Sequence, residues 1–179
     1  METWEWIVLG AGIALVVVLG VMLFRIRRRR THLQETFGRE YERVVADKGA
    51  STAERRLTDI EREHDELEVR VLPKPARERY LEEWRLVEAR FVSDPGDAAR
   101  TAERLVERVL EERGYPVDGD AEHRLALVAV DHPDVVERYR HGRAMADGAD
   151  AARTEDLRKA VLEFRAVLED LLQSERTAA

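Results

Sequence analysis

The chain contains no cysteine. Disulfides, thiolate metal sites and a cysteine nucleophile are therefore excluded, in keeping with a reducing compartment. Lysine is almost missing too: Lys48, Lys74 and Lys159 stand against 27 arginines. With the abundance of Ala, Val, Asp and Glu, that bias reads as the mark of a GC-rich bacterial genome rather than of chemistry. No run of alternating apolar residues is flanked by Asn-Gly or Asp-Gly turns, so β-hairpins have no signal, and apolar spacings of three and four recur instead. A glycine-rich phosphate loop, a Gly-x-Ser-x-Gly elbow and a His-Glu-x-x-His pair are also lacking, as is any repeat of fixed period.

Charge is absent from one stretch of the chain. Trp6 to Phe24 carries no charged and no strongly polar side chain, and Arg25, Arg27, Arg28, Arg29 and Arg30 follow at once. Nineteen helical residues rise about 28 Å, close to the roughly 30 Å of a bilayer's hydrocarbon core. The sequence thus predicts a membrane span with a cationic stop, an uncleaved signal anchor. A cleaved secretory signal fits less well: Glu2 and Glu5 occupy the region that should be basic, and arginines stand where cleavage would occur. Cytoplasmic flanks retain Arg and Lys, so the short N-terminus faces out and residues 25–179 face the cytoplasm of a bacterial plasma membrane. Trp4 and Trp6 fall at the outer interface, where an indole buries its ring and hydrates its N–H. The arginines meet anionic lipid headgroups, worth about 1 kcal/mol each near the surface. A nucleic-acid role for them is set aside, because the cluster abuts the span and has no aromatic interleaving. Gly10 and Ala14 form one small-xxx-small pair, compatible with a homodimer.

The arginines give residues 1–30 a net charge of +3, which leaves −10 on residues 31–179. That acidic part is about one domain in length. All of it reads as helix, so the expected fold is all-α: one transmembrane helix plus a cytoplasmic bundle of about six helices. The expected organisation is an anchor at 1–30, a helical hairpin or neck at 31–72, a bundle at 73–173 and a fraying tail at 174–179.

In the neck, Leu33, Phe37, Tyr41, Val44 and Val45 make one stripe. Ser51 and Glu54 have capping-box spacing. Ala53, Leu57, Ile60, His64, Leu67 and Val71 then repeat at 4, 3, 4, 3 and 4, a short coiled-coil-like seam. Pro73 and Pro75 break the chain. Tyr80, Trp84, Val87 and Phe91 share the core face of the next helix, with a ligand pocket between helices as the lesser alternative. Asp94-Pro95-Gly96-Asp97 turns into a helix with Ala98, Ala102, Leu105, Val109 and Leu110 inward. Gly114 ends that helix in a left-handed cap, with Pro116 beyond. A helix opened by Asp118–Asp120 carries Leu125, Leu127, Val128 and Val130 and stops at Pro133. Pro133 starts the following helix, with Val135, Val136, Tyr139 and Met145 inward. Thr154 caps the last one, with Leu157, Val161, Phe164, Leu168 and Leu171 in register.

Two clusters invite chemistry. Glu61-x-x-His64 has the spacing of one di-iron ligand pair, but no second pair exists and His64 lies on the apolar seam. Asp131-His132-Pro133-Asp134 with His141 is denser. A metal-binding protein or enzyme centred on His132, Asp134 and His141 is the alternative reading, against Asp131 or His132 acting only as a helix cap. No catalytic residue, cofactor or resident metal is expected otherwise.

Four segments recur together: Phe37-Gly38-Arg39-Glu40-Tyr41; Tyr80-x-x-x-Trp84 leading to Arg90-Phe91-Val92-x-Asp94-Pro95; Arg113-Gly114-Tyr115-Pro116; and Val130-Asp131-His132-Pro133-x-Val135-Val136-x-x-Tyr139-Arg140. Across most of residues 33–171 the chain resembles a family of small, uncharacterised bacterial proteins found mainly in actinobacteria, many with an N-terminal membrane helix. In those relatives Pro often stands where Arg39 is. The resemblance implies a membrane-anchored, all-helical protein and carries no activity. The expected function is a membrane-anchored interaction or scaffolding module with a protein partner. A C-terminal alkaline phosphatase fusion should be inactive in cells; an active fusion would reverse the topology.

Overall fold

A computed structural model describes residues 42, 45–46, 49–117, 119–148 and 152–173. The expected span from Trp6 to Phe24, the arginines Arg25 to Arg30, and nearly all of the first neck helix lie outside the described residues. Among the described residues no helix is long and apolar enough to cross a membrane. The chain divides into two compact units, residues 1–56 and 57–179.

Among the described residues there are six helices and no strand. They are α1 (Ala50–Glu66), α2 (Lys74–Phe91), α3 (Pro95–Glu112), α4 (Ala121–Asp131), α5 (Pro133–Ala146) and α6 (Thr154–Gln173). The all-α expectation holds. In the first unit the Ala53 N–H bonds the Gly49 carbonyl at 3.0 Å. Gly49 therefore occupies the capping position, and Ser51 falls inside α1 rather than before it.

Within the second unit, α6 is the central helix. It packs closely on both α5 and α3; α2 lies on α3, and α4 on α5. Phe164, Val167, Leu168 and Leu171 of α6 are buried against Leu105, Val106 and Val109 of α3 and Val135, Val136 and Tyr139 of α5. Gly142 lets α5 approach α6: a Cβ there would stand 3.0 Å from Phe164 Cε1. Tyr139 meets the same ring edge-on, with centroids 5.8 Å apart. The apolar faces read from the sequence fill this core, except that Phe91, Val130 and Met145 are only half-buried.

Helix ends follow the residues that can hold them. Asp94 Oδ1 accepts from the Asp97 N–H at 2.9 Å at the start of α3, and Asp120 Oδ1 from the Glu122 N–H at 3.0 Å at the start of α4. At the start of α6 the Leu157 N–H bonds the Arg153 carbonyl at 3.1 Å, so Arg153 stands at the cap and Thr154 is already helical. The end of α3 is a Schellman motif. The Tyr115 N–H bonds the Leu110 carbonyl at 3.0 Å and the Gly114 N–H bonds the Glu111 carbonyl at 2.9 Å, with Gly114 at φ +99°.

The seam of α1 overran its helix. Ala53, Leu57 and Ile60 are buried and His64 nearly so, but α1 stops at Glu66 and Val71 is exposed. Residues 67–73 form an irregular strap in which Val69 and Leu72, three apart, point inward. Two prolines ahead remove the N–H groups and the torsions that would continue a helix. The strap crosses the end of α3, where the Arg70 N–H bonds the Arg113 carbonyl at 2.8 Å. A Cβ on Gly114 would stand 2.6 Å from the Glu68 carbonyl oxygen. Glycine is required there twice, for its torsion and for the crossing.

Gly114→Ala should therefore destabilise the protein by about 1–3 kcal/mol, read as a shifted urea midpoint. Gly119→Ala is the comparator: φ is +103° there, but nothing lies within 4 Å of the added Cβ. Equal losses at the two positions would show that the strap crossing adds nothing.

Candidate functional site

The third and fourth sequence segments meet in space. At the end of α3, Arg113 is 2% exposed, the one buried charged residue among the core residues described. Its Nη1 donates to the Leu171 carbonyl at 2.8 Å, one of the last carbonyls of α6. A guanidinium there lies toward the negative end of the helix dipole, where a cation is favoured. Burial disfavours its charge; Tyr115, Asp131 and Asp170 oppose that loss.

Around Arg113 stand side chains from four more elements. His64 of α1 is within hydrogen-bond distance of Asp131 at the end of α4, Nε2 to Oδ2 3.0 Å. That contact holds the Asp131 carboxyl below its usual range. Tyr115, on the turn after α3, packs its ring 6.4 Å from His64. Its hydroxyl is buried beside Asp131; burial first, and then the Asp131 charge, pushes its titration up. His132 joins α4 to α5, with Nδ1 3.9 Å from Asp170 Oδ1 on α6. Burial, followed by the Arg113 charge, pushes its imidazole below the ordinary histidine range.

The capping expectation for Asp131 and His132 needs correction. His132 holds the capping position before Pro133 but makes no side-chain cap, and Asp131 turns to His64 instead. His132, Asp134 and His141 are not gathered into a site. His132 is half-buried against Asp170, while Asp134 and His141 are exposed. Glu61 and His64 are not brought together with further ligands either. Among the described residues no group of three or more His, Cys, Asp and Glu is placed to hold a metal. What sequence reading missed is Arg113, seen only as part of a segment, and the long-range partnership of His64 with Asp131. Position on the seam gave His64 as a packed residue; nothing local gave its partner.

A second histidine pair lies beside the first. His123 Nε2 of α4 is 2.9 Å from Glu63 Oε1 of α1. Adjacent residues of α1 thus reach both ends of α4, although α1 is not among the closely packed helix pairs.

The aromatic face of α2 is core with polar handles. Tyr80 donates to Glu112 Oε2 at 2.6 Å, with the Arg79 guanidinium 4.9 Å from its ring centroid, and Trp84 Nε1 donates to Glu88 Oε1 at 3.0 Å. Two surface clefts, of about 660 and 570 Å³, flank the exposed side of α3. They bring together six arginines and five acids, among them Arg140 with Glu122 at 2.8 Å and Arg124 with Glu107 at 3.4 Å. Charges so nearly matched give the clefts no bias toward an anion. No protein-family model, curated protein or solved structure matches the chain.

Arg113→Met should cost about 3 kcal/mol of stability, because Asp131, Asp170 and the α6 carbonyl lose their common partner. Urea titration of the full chain in detergent measures it. Arg113→Lys should not restore the loss, since an ammonium lacks the planar fork. A loss within about 0.5 kcal/mol for Arg113→Met, the range of an ordinary surface change, would reduce Arg113 to space-filling.

Proposed function

We propose that the chain is a single-pass, membrane-anchored bacterial protein whose cytoplasmic helical domain is an interaction or scaffolding module. The observation that carries this reading is the uncharged run from Trp6 to Phe24 with five arginines immediately behind it. Length, flanking charge and interfacial tryptophans all favour an anchor over a buried core helix. The charge of residues 31–179 supports the second half of the reading. A domain with a net charge of −10 is repelled by bare anionic lipid, so the arginines hold it at the surface while its faces stay in solvent. Tethering in one plane raises its effective concentration for other membrane-bound proteins. The resemblance carried by the Arg113-Gly114-Tyr115-Pro116 and Asp131-His132-Pro133 segments points the same way, toward a shared helical domain rather than a shared reaction.

Two measurements test the proposal. Leu15→Arg with Val17→Arg places two charges in mid-span, each costing about 2.5–3.5 kcal/mol on an insertion scale, and should move the protein from the membrane fraction to the soluble one. In-cell crosslinking followed by affinity capture of the unaltered chain should then recover a specific protein partner that the double variant loses. Recovery of lipid and self contacts alone would count against an interaction module.

A further inference from the structure

Helix α2 turns Tyr80, Trp84 and Val87 into the core and leaves an apolar ridge on its opposite side. Leu86 and Val92 are 67% and 88% exposed, more than any other large apolar side chain among the described residues. Ala89 lies between them and is exposed as well. The three recur at a spacing of three, which lines them up as one ridge across the outer face, and the small residue at its centre lets a second helix come close. Charges ahead of the ridge and behind it decide what fits. Arg85 stands ahead, exposed and bonded to Glu82 at 2.6 Å. Asp94 stands behind, exposed, and caps α3 through Oδ1. A copy of the same helix, running antiparallel about a two-fold axis at Ala89, sets Leu86 against Val92 of the second copy and brings Arg85 to its Asp94. A parallel copy would oppose Arg85 to Arg85 and Glu82 to Glu82, and such like-charge contacts are costly. The face is therefore self-complementary in one direction only, as a closed two-fold dimer requires.

We propose that the outer face of α2 is a homodimer interface: two copies pair antiparallel along Leu86, Ala89 and Val92, with Arg85 of each copy on Asp94 of the other. The pairing rests on the anchor reading for its strength. The ridge rises only about 9 Å along the helix, so the contact buries less than the roughly 800 Å² per partner of a standard interface. Copies held in one membrane need less, because tethering raises the effective concentration of each for the other.

The absence of cysteine makes the test direct. Single-cysteine forms of the full chain are expressed in bacteria, the membranes are isolated, and disulfide formation between copies is read after mild oxidation. Ala89→Cys, on the axis, should link to itself. Leu86→Cys and Val92→Cys should link when the two forms are co-expressed with different tags, and far less when either is alone. Leu162→Cys, exposed on α6, is the comparator. Leu86→Glu should cut the Ala89→Cys dimer about tenfold or more, and so should Arg85→Asp, which faces Asp94 with a like charge. Asp94→Asn keeps a capping side chain and should relieve the Arg85→Asp loss. Self-linking of Leu86→Cys as strong as its linking to Val92→Cys would overturn the antiparallel pairing. Linking of Leu162→Cys as ready as that of Ala89→Cys would mean that the membrane span alone gathers the copies. A membrane-bound chain whose Ala89→Cys form stays monomeric would remove the dimer and leave the anchor standing, whereas a chain found in the soluble fraction would remove both.

Discussion

A buried guanidinium is the constraint on which the second unit depends. Taking Arg113 out of water carries a large desolvation cost, and the structure meets it from several sides at once. Leu171 of α6 offers a carbonyl and Asp131 and Asp170 offer charge, while the strap separately bonds the backbone carbonyl of Arg113. Each of these comes from a different part of the chain. Hydrophobic burial along α3, α5 and α6 supplies the bulk of the driving force, but it is tolerant of small shifts. The hydrogen bonds of Arg113 are directional, and they tie α6 and the strap to the end of α3.

The same corner explains why two short sequence segments sit together. Arg113-Gly114-Tyr115 is a helix end whose glycine admits the strap and whose flanking side chains are both buried. Asp131-His132-Pro133 is a helix–helix junction in which proline starts the new helix and frees the two preceding side chains to face the corner. Neither segment has a self-contained purpose. Together they place cation, carboxylate, phenol and imidazole within one half-buried volume.

Most of the helical architecture was legible in the sequence because it rests on local signals. The prolines at 73, 95 and 133 mark three starts, Asp94 and Asp120 act as caps, Gly114 ends α3, and the apolar faces of α3 and α6 are regular. Local signals fail where a tertiary contact decides. The heptad of α1 continues past Glu66 on paper, yet the approach of Glu68 and Arg70 to the end of α3 takes the chain out of helix. Asp131 has the spacing of a cap and is claimed by His64, 67 residues earlier. Gly142 carries no local signal, and its meaning lies in the Phe164 ring across the interface. Arg113 was one arginine among 27, and no periodicity separates a buried one from its solvated neighbours.

The spans of the corner contacts bear on kinetics. His64 and Asp131 are 67 residues apart, and Arg113 and Leu171 are 58 apart, whereas α4 and α5 abut and α5 reaches α6 across a short loop. Contacts between chain neighbours form at little entropic cost, but those of long span must first close large loops. The corner therefore belongs on the native side of the folding barrier. Weakening it should leave the refolding rate nearly unchanged and accelerate unfolding, a division that the two limbs of a chevron plot would show and that equal changes in both limbs would refute. On this reasoning Arg113 sets the lifetime of the folded state rather than the ease of reaching it.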